Sequence, residues 1–119
     1  MSDKSPRSKV INIHEADYGI YDMEGPVQPE IGWLPLSYNS DGNGNGCYAM
    51  RMSPGAETVW HEHPGMEEFM ILEGELIESD GTVLKVGDFI SYPPGSAHSS
   101  RTETGCVLIG FDWNKPAKS

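Results

Sequence analysis

Gly55-Ala-Glu-Thr-Val-Trp-His61-Glu-His63-Pro-Gly-Met-Glu67-Glu-Phe-Met-Ile-Leu-Glu-Gly74 holds two histidines one residue apart, then a Pro-Gly break, then a carboxylate at Glu67. A second stretch, Gly87-Asp-Phe-Ile-Ser-Tyr-Pro-Pro-Gly-Ser-Ala-His98, adds a third imidazole. Side chains alternate faces along a strand, so His61 and His63 leave one face about 6.6 Å apart and can reach a single ion. Pro64-Gly65 breaks that strand, and alternation resumes with Glu67, Phe69 and Ile71 on one face, which makes Glu67 the ligand and Glu68 its solvent-side neighbour. Pro93-Pro94-Gly95-Ser96 reads as a rigid turn that delivers His98. Together His61, His63, Glu67 and His98 suit one borderline divalent ion per chain: Fe(II), Mn(II), Ni(II), Cu(II) or Zn(II).

Outward from these stretches the chain reads as short strands. Cys47–Met52, Glu57–Glu62, Glu67–Leu72, Glu75–Glu78, Val83–Lys85, Phe89–Ser91, Ala97–Thr102 and Cys106–Trp113 are β-type runs, nearly all separated by turn signals such as Ser53-Pro-Gly, Ser79-Asp-Gly and Val86-Gly-Asp. With no convincing amphipathic helix, this pattern predicts an all-β fold, an antiparallel β-barrel or jelly roll. Before these runs, Lys9–Ile13 carries a β-branched strand signal and Tyr18–Gly32 reads as irregular coil. Trp33–Tyr38 reads as a short strand that Pro35 confines to an edge, and Asp41–Gly46 as a hairpin loop. Residues 1–8 are small and polar and are expected to be a disordered tail ahead of a single domain over 9–119.

The two stretches resemble the paired motifs of the cupin superfamily. Gly55, His61, His63, Glu67 and Gly74 stand at the offsets of the first motif (55–74), and Gly87, Pro93, Gly95 and His98 at those of the second (87–102). Thr102 stands where cupins often carry a structural asparagine. The run from His61 to Leu76, with Pro-Pro-Gly-Ser-Ala-His-Ser-Ser and Thr-Gly-Cys106, resembles the cupin domain of ChrR-type anti-sigma factors and related small dioxygenases. That resemblance implies a cupin barrel, or double-stranded β-helix, around one divalent metal, with Fe(II) favoured. ChrR proteins carry a separate sigma-contacting domain for which 119 residues leave no room, so sigma-factor control is not expected to follow.

Eighteen acidic against eight basic residues give a formal charge of −10, which disfavours nucleic acid and anionic membrane surfaces as partners. No run of eighteen apolar residues and no hydrophobic segment behind a basic amino terminus occurs, so the expected location is cytoplasmic. In that setting Cys47 and Cys106 are expected to be reduced and buried rather than bridged.

Around the metal, Val59, Phe69, Ile71 and Phe89 are candidates to wall a substrate pocket, since such pockets are mostly apolar. Glu57, on the expected face of His61, and Tyr48 are the weaker candidates for an acid–base role. Arg101 is expected to be solvated or salt-bridged, and His14 to be a surface residue. Trp60, Met70 and Leu72 alternate away from the metal and suggest a homodimer contact, with the Val10–Ile13 strand exchanged between subunits.

Four protein donors on an octahedral ion leave two positions for a small-molecule substrate and dioxygen. A chelating substrate alone would also fill them, and it is the resemblance to small cupin dioxygenases that implies a metal-dependent dioxygenase acting on a keto or hydroxy compound. The alternatives are a non-catalytic metal-binding or small-molecule-sensing module of the ChrR type, and a cupin isomerase, lyase or decarboxylase.

Overall fold

A computed structural model describes residues 10–21, 27–39 and 44–114. Among them there is no helix. Ten strands follow one another: β1 (Gly19–Tyr21), β2 (Gln28–Pro35), β3 (Asn45–Met52), β4 (His61–Glu62), β5 (Met66–Glu78), β6 (Val83–Lys85), β7 (Phe89–Tyr92), β8 (Ala97–His98), β9 (Ser100–Arg101) and β10 (Cys106–Trp113). Eight of them form a curled antiparallel sheet in the order β1-β2-β3-β10-β5-β6, with β7 and β9 also paired to β5, while β4 and β8 pair separately. This is the all-β cupin architecture expected from the sequence.

The position of each strand follows from its pattern. β10, Cys-Val-Leu-Ile-Gly-Phe-Asp-Trp, begins as a continuous apolar run because it lies between β3 and β5 and has no free edge. β5 is 13 residues long and changes partners midway: its first part pairs with β10 and β7, its second with β6 and β9. The change occurs beside a register shift, where Val107 faces Glu73 but Leu108 faces Ile71, so Leu72 has no opposite number. Gly74 sits at φ 75°, and a Cβ there would meet the Gly105 carbonyl oxygen at 1.9 Å, so no other residue fits this bend without moving the chain.

Ile31, Ile71 and Leu76 are fully buried within the curl, packed with Met50, Met52 and Leu108. Thr102 is also buried. Its hydroxyl donates to the Glu75 carbonyl (2.7 Å) and accepts from the Gly105 N–H (3.0 Å), so a threonine satisfies the turn at the position where cupins often use asparagine.

Several element boundaries differ from expectation. Val10–Ile13 forms no strand; Asn12 instead closes a turn, its carbonyl accepting from Glu15 and Ala16 and its side-chain oxygen from the His14 N–H. Parts of Tyr18–Gly32 expected as coil are strands β1 and β2, which pair with each other. β2 is therefore interior, between β1 and β3, and Pro35 is accommodated at its last residue, past the rungs shared with β1. Glu57–Glu62 narrows to His61–Glu62, because the Thr58 hydroxyl rather than backbone accepts the Ser100 N–H. The two runs at 67–72 and 75–78 are one strand, β5, and 97–102 is two, β8 and β9. The tail at 1–8 and the loop tip at 40–43 lie outside the described residues. Cys47 and Cys106 are free thiols five rungs apart on the β3–β10 ladder, and burial pushes the Cys106 thiol up to about 12.

Candidate metal centre

β4 and β8 pair so that His61 stands directly opposite His98, and the ladder continues through the His63 N–H to the Ser96 carbonyl (2.8 Å). Glu67 enters from β5, after the Pro64-Gly65 break has turned the chain. The ligand-capable atoms of His61, His63, Glu67 and His98 lie within 4.8 Å of one another. Ligands about 2.1 Å from a shared ion are separated by up to roughly 4.2 Å, so the cluster is close to the size of a coordination sphere.

Hydrogen bonds behind the rings set which nitrogen faces inward. The Nδ1 of His61 lies 2.9 Å from the Val59 carbonyl, which can only accept, so that nitrogen carries the proton and Nε2 keeps its lone pair. Ser96 donates its hydroxyl hydrogen to the Pro93 carbonyl (2.6 Å), so its oxygen accepts from His63 Nδ1 (3.0 Å). His98 Nδ1 is 2.6 Å from Glu78 Oε1. All three imidazoles therefore present Nε2 to the centre.

The donor set tests whether a metal fits. His63 Nε2 and His98 Nε2 are buried and make no aligned hydrogen bond, although Glu67 Oε1 lies 2.9 Å and 3.5 Å away. The two nitrogens and the carboxylate oxygen thus lie together inside the cluster. Buried polar atoms so arranged could share a divalent ion between them. In the metal-free chain a proton plays that part. Burial opposes charge on Glu67, but His63 and His98 outweigh it and hold the carboxyl well below its ordinary 4.5. Burial likewise opposes charge on His98, and Glu67 and Glu78 overcome it to raise the imidazole from 6.5 to about 9.

Beside the cluster lies a cavity of about 200 Å³. Its walls include Tyr21, Trp33, Tyr38, Tyr48, Phe69 and Leu108. Trp33 stacks on Tyr48 with ring centroids 4.3 Å apart, and Tyr38 meets Trp33 edge-on at 5.3 Å. Tyr48 reaches this position because Gly110 is directly opposite on β10; a Cβ there would strike the Tyr48 ring at 2.4 Å. The Tyr48 hydroxyl donates to Glu67 Oε2 (3.1 Å), leaving Oε1 toward the histidines. Burial, with the Glu67 and Asp112 carboxylates, pushes the Tyr48 phenol well above its ordinary value, so it acts as a donor rather than a base. The charged side chains among the described lining residues apart from histidine, Glu62, Glu67 and Asp112, are all acidic.

The other sequence candidates are dispersed. Phe69 lines the cavity, whereas Ile71 is buried in the core without lining it. Val59 is absent from the lining and meets the site only through its carbonyl on His61. Phe89 faces outward, 52% exposed, because the register pairs it with outward-facing Met70 and gives Ile90 to Phe69. Glu57 is exposed on another face, in a groove with Ser79, Ser99 and Arg101. Arg101 pairs with Glu103 at the surface, and His14 with Glu73. Sequence reasoning missed Glu78, whose buried carboxylate holds His98. The available signal was its alternation with Leu76, which puts both on the inner face.

Comparison with known proteins bears on this arrangement. The family model for the ChrR cupin-like domain matches residues 10–115. An RmlC-like cupin from Shewanella frigidimarina NCIMB 400 is 27% identical, with a TM-score of 0.65 over 94% of this chain and 95% of that one. Acetylacetone dioxygenase from Acinetobacter johnsonii is 14% identical, with a TM-score of 0.69 over 93% and 78%. A chain of the Rhodobacter sphaeroides complex of SigE with the anti-sigma ChrR is 15% identical, with a TM-score of 0.61 over 82% and 49%, so this chain spans about half of it. The last two likenesses are of fold alone. No curated protein matches the sequence.

Proposed function

Since the chain belongs to the ChrR cupin-like domain family, we propose that it is a metal-dependent cupin enzyme, a non-haem Fe(II) dioxygenase acting on a small, uncharged keto or hydroxy compound. The observation that carries this reading is the opening of an aromatic-walled cavity directly onto the His61, His63, Glu67 and His98 cluster. A ligand in that cavity meets apolar walls on most sides and polar groups only at the metal end, the usual layout of a small-molecule site. Because the charged lining groups described are acidic, a carboxylate or phosphate substrate gains no counter-charge from them.

His61, His63, Glu67 and His98 would hold the ion, and Tyr48 would keep Glu67 turned toward it. A divalent ion there supplies Lewis acidity toward a carbonyl oxygen and, in the case of iron, electrons for dioxygen. The aromatic walls exclude water around the bound compound.

The test is oxygen uptake by protein loaded anaerobically with Fe(II), across diketones, hydroxyketones, phenols and 2-oxo acids. Uptake with an uncharged member and none with the 2-oxo acids is expected. Metal binding without turnover on any member would overturn the dioxygenase reading. If compounds then still quench Trp33, which lines the cavity, the second reading gains: a cytoplasmic sensing module, supported by the family match. Non-oxidative turnover of the same panel would point to an isomerase, lyase or decarboxylase.

A homodimer is part of the proposal. Trp60 is 65% exposed, and Phe89 stands opposite outward-facing Met70 on the outer sheet face, a costly set of apolar groups to leave in water. Among the described residues Val10–Ile13 has no strand partner, and Val10 is 84% exposed, which leaves that segment for a second copy. Light scattering at micromolar concentration is expected to give about twice the 13.1 kDa chain mass, and Trp60→Glu to shift it toward one. A wild-type particle of one chain mass would rule the dimer out.

A further inference from the structure

We infer that Glu78 is a positioning residue for the metal centre, fixing His98 through its Nδ1 and supplying the second of two buried carboxylates that balance a divalent ion. The inference rests on the metal-centre reading above. Glu78 is 2% exposed, a degree of burial at which a carboxylate is retained only when its oxygens are fully paired. They are. Oε1 accepts from His98 Nδ1 (2.6 Å) and from the Tyr92 hydroxyl, and Oε2 from the Ser100 hydroxyl (2.5 Å).

The backbone makes this arrangement rigid. Glu78 stands opposite Ser100 in the β5–β9 ladder, and its own N–H donates to the Thr82 carbonyl (2.8 Å). Tyr92, at the end of β7, packs its ring 4.4 Å from that of His98 while its hydroxyl holds Glu78. Both hydroxyls that hold the Glu78 carboxylate are thus also tied to His98, Tyr92 by its ring and Ser100 by its place two residues on, with its oxygen 3.4 Å from His98 Nδ1. A leucine would serve packing equally well on the face that Glu78 shares with Leu76, so a carboxylate at this site needs a partner that calls for charge. His98 is that partner.

Two consequences follow for the ion. A carboxylate behind an imidazole fixes the ring's tautomer and raises the donor strength of the opposite nitrogen, here Nε2. Glu67 beside the ion and Glu78 one ring away carry two negative charges between them, so a dication leaves the buried cluster neutral, whereas either carboxylate alone leaves it positive.

The test uses Co(II) as the probe, titrated into the full chain and followed by its visible absorption. Glu78→Gln keeps the size and an acceptor for Nδ1–H but removes the charge. Its expected effect is 10- to 100-fold weaker binding, on the scale of other such outer partners, with an altered Co(II) spectrum. Glu73→Gln, at an exposed carboxylate paired with His14 outside the cluster, is expected to stay within roughly threefold of wild type on the same scale. A Glu78→Gln variant that binds Co(II) with wild-type affinity and spectrum overturns the inference alone. A wild type that binds no Co(II) overturns the metal centre and the inference with it. If Glu78→Gln does not fold, long-range proton–nitrogen NMR on the Zn(II)-loaded wild type decides. A protonated, solvent-protected Nδ1 on His98 is expected, and zinc on Nδ1, or an Nδ1 proton in free exchange, overturns the inference.

Discussion

Replacing His63 by alanine is expected to take the chain from about one divalent ion per protein to no tight binding. His63 is 4% exposed, and its Nε2 has the converging Glu67 oxygen at 2.9 Å and no aligned hydrogen-bond partner. The substitution removes one of four donors. It also leaves Glu67, Ser96 and the remaining imidazoles around a void that water fills without supplying a comparable ligand. Loss of an outer partner alone costs 10- to 100-fold in affinity, so loss of a ligand is expected to exceed roughly 100-fold. His14→Ala is the control, because His14 is a surface residue paired with Glu73 and stands outside the cluster. Equilibrium dialysis with elemental analysis reads both variants. Full stoichiometry in His63→Ala would show that the ion, if bound, is held elsewhere.

The second large effect is a dependence of stability on pH that the metal-free protein shows between 6.5 and 9 and the loaded protein does not. In the metal-free chain His98 titrates near 9, above its ordinary 6.5, so its contribution to folding is complete below about 6.5 and is lost as pH rises through 9. Glu67 is shifted the other way. Its contribution is present above its ordinary 4.5 and is lost as pH falls toward its depressed folded value. These two groups alone therefore make the metal-free protein most stable between about 4.5 and 6.5, with Tm falling toward pH 9.

Metal binding must displace the proton on His98 Nε2, so each pH unit below about 9 is expected to weaken apparent affinity about tenfold on this account. In the presence of metal these two effects offset each other, so Tm should stay level from pH 6.5 to 9 while that of the chelator-treated protein falls. Thermal melts at a series of pH values, with and without added Zn(II), check this. Parallel curves, or occupancy that stays constant down to pH 4, would be incompatible with an ion held by these imidazoles.

How much of this was legible in the sequence follows from what each feature depends on. The His61-x-His63 spacing, the Pro64-Gly65 break, Glu67 and the turn before His98 are local, and strand alternation is set by covalent geometry, so the four-residue cluster could be read directly. The same holds for β6 and β10, whose bounds are those expected from the sequence.

The roles of Phe89, Glu78 and Tyr48 depend instead on which residue stands across from which. Phe89 lost its expected place in the pocket because β7 pairs with β5 in a register that opposes it to Met70. Glu78 gained its role because the long β5 strand passes the register shift at Leu72 and the bend at Gly74 before meeting Ser100 on β9. Tyr48 reaches Glu67 across β10 only because Gly110 lies beneath its ring. The sequence by itself determined the donor set and the β architecture, through periodicities that act within a few residues. The partners that orient those donors were decided by the tertiary structure alone, because register between strands distant in sequence is set by bulges and close backbone approaches summed over the whole sheet.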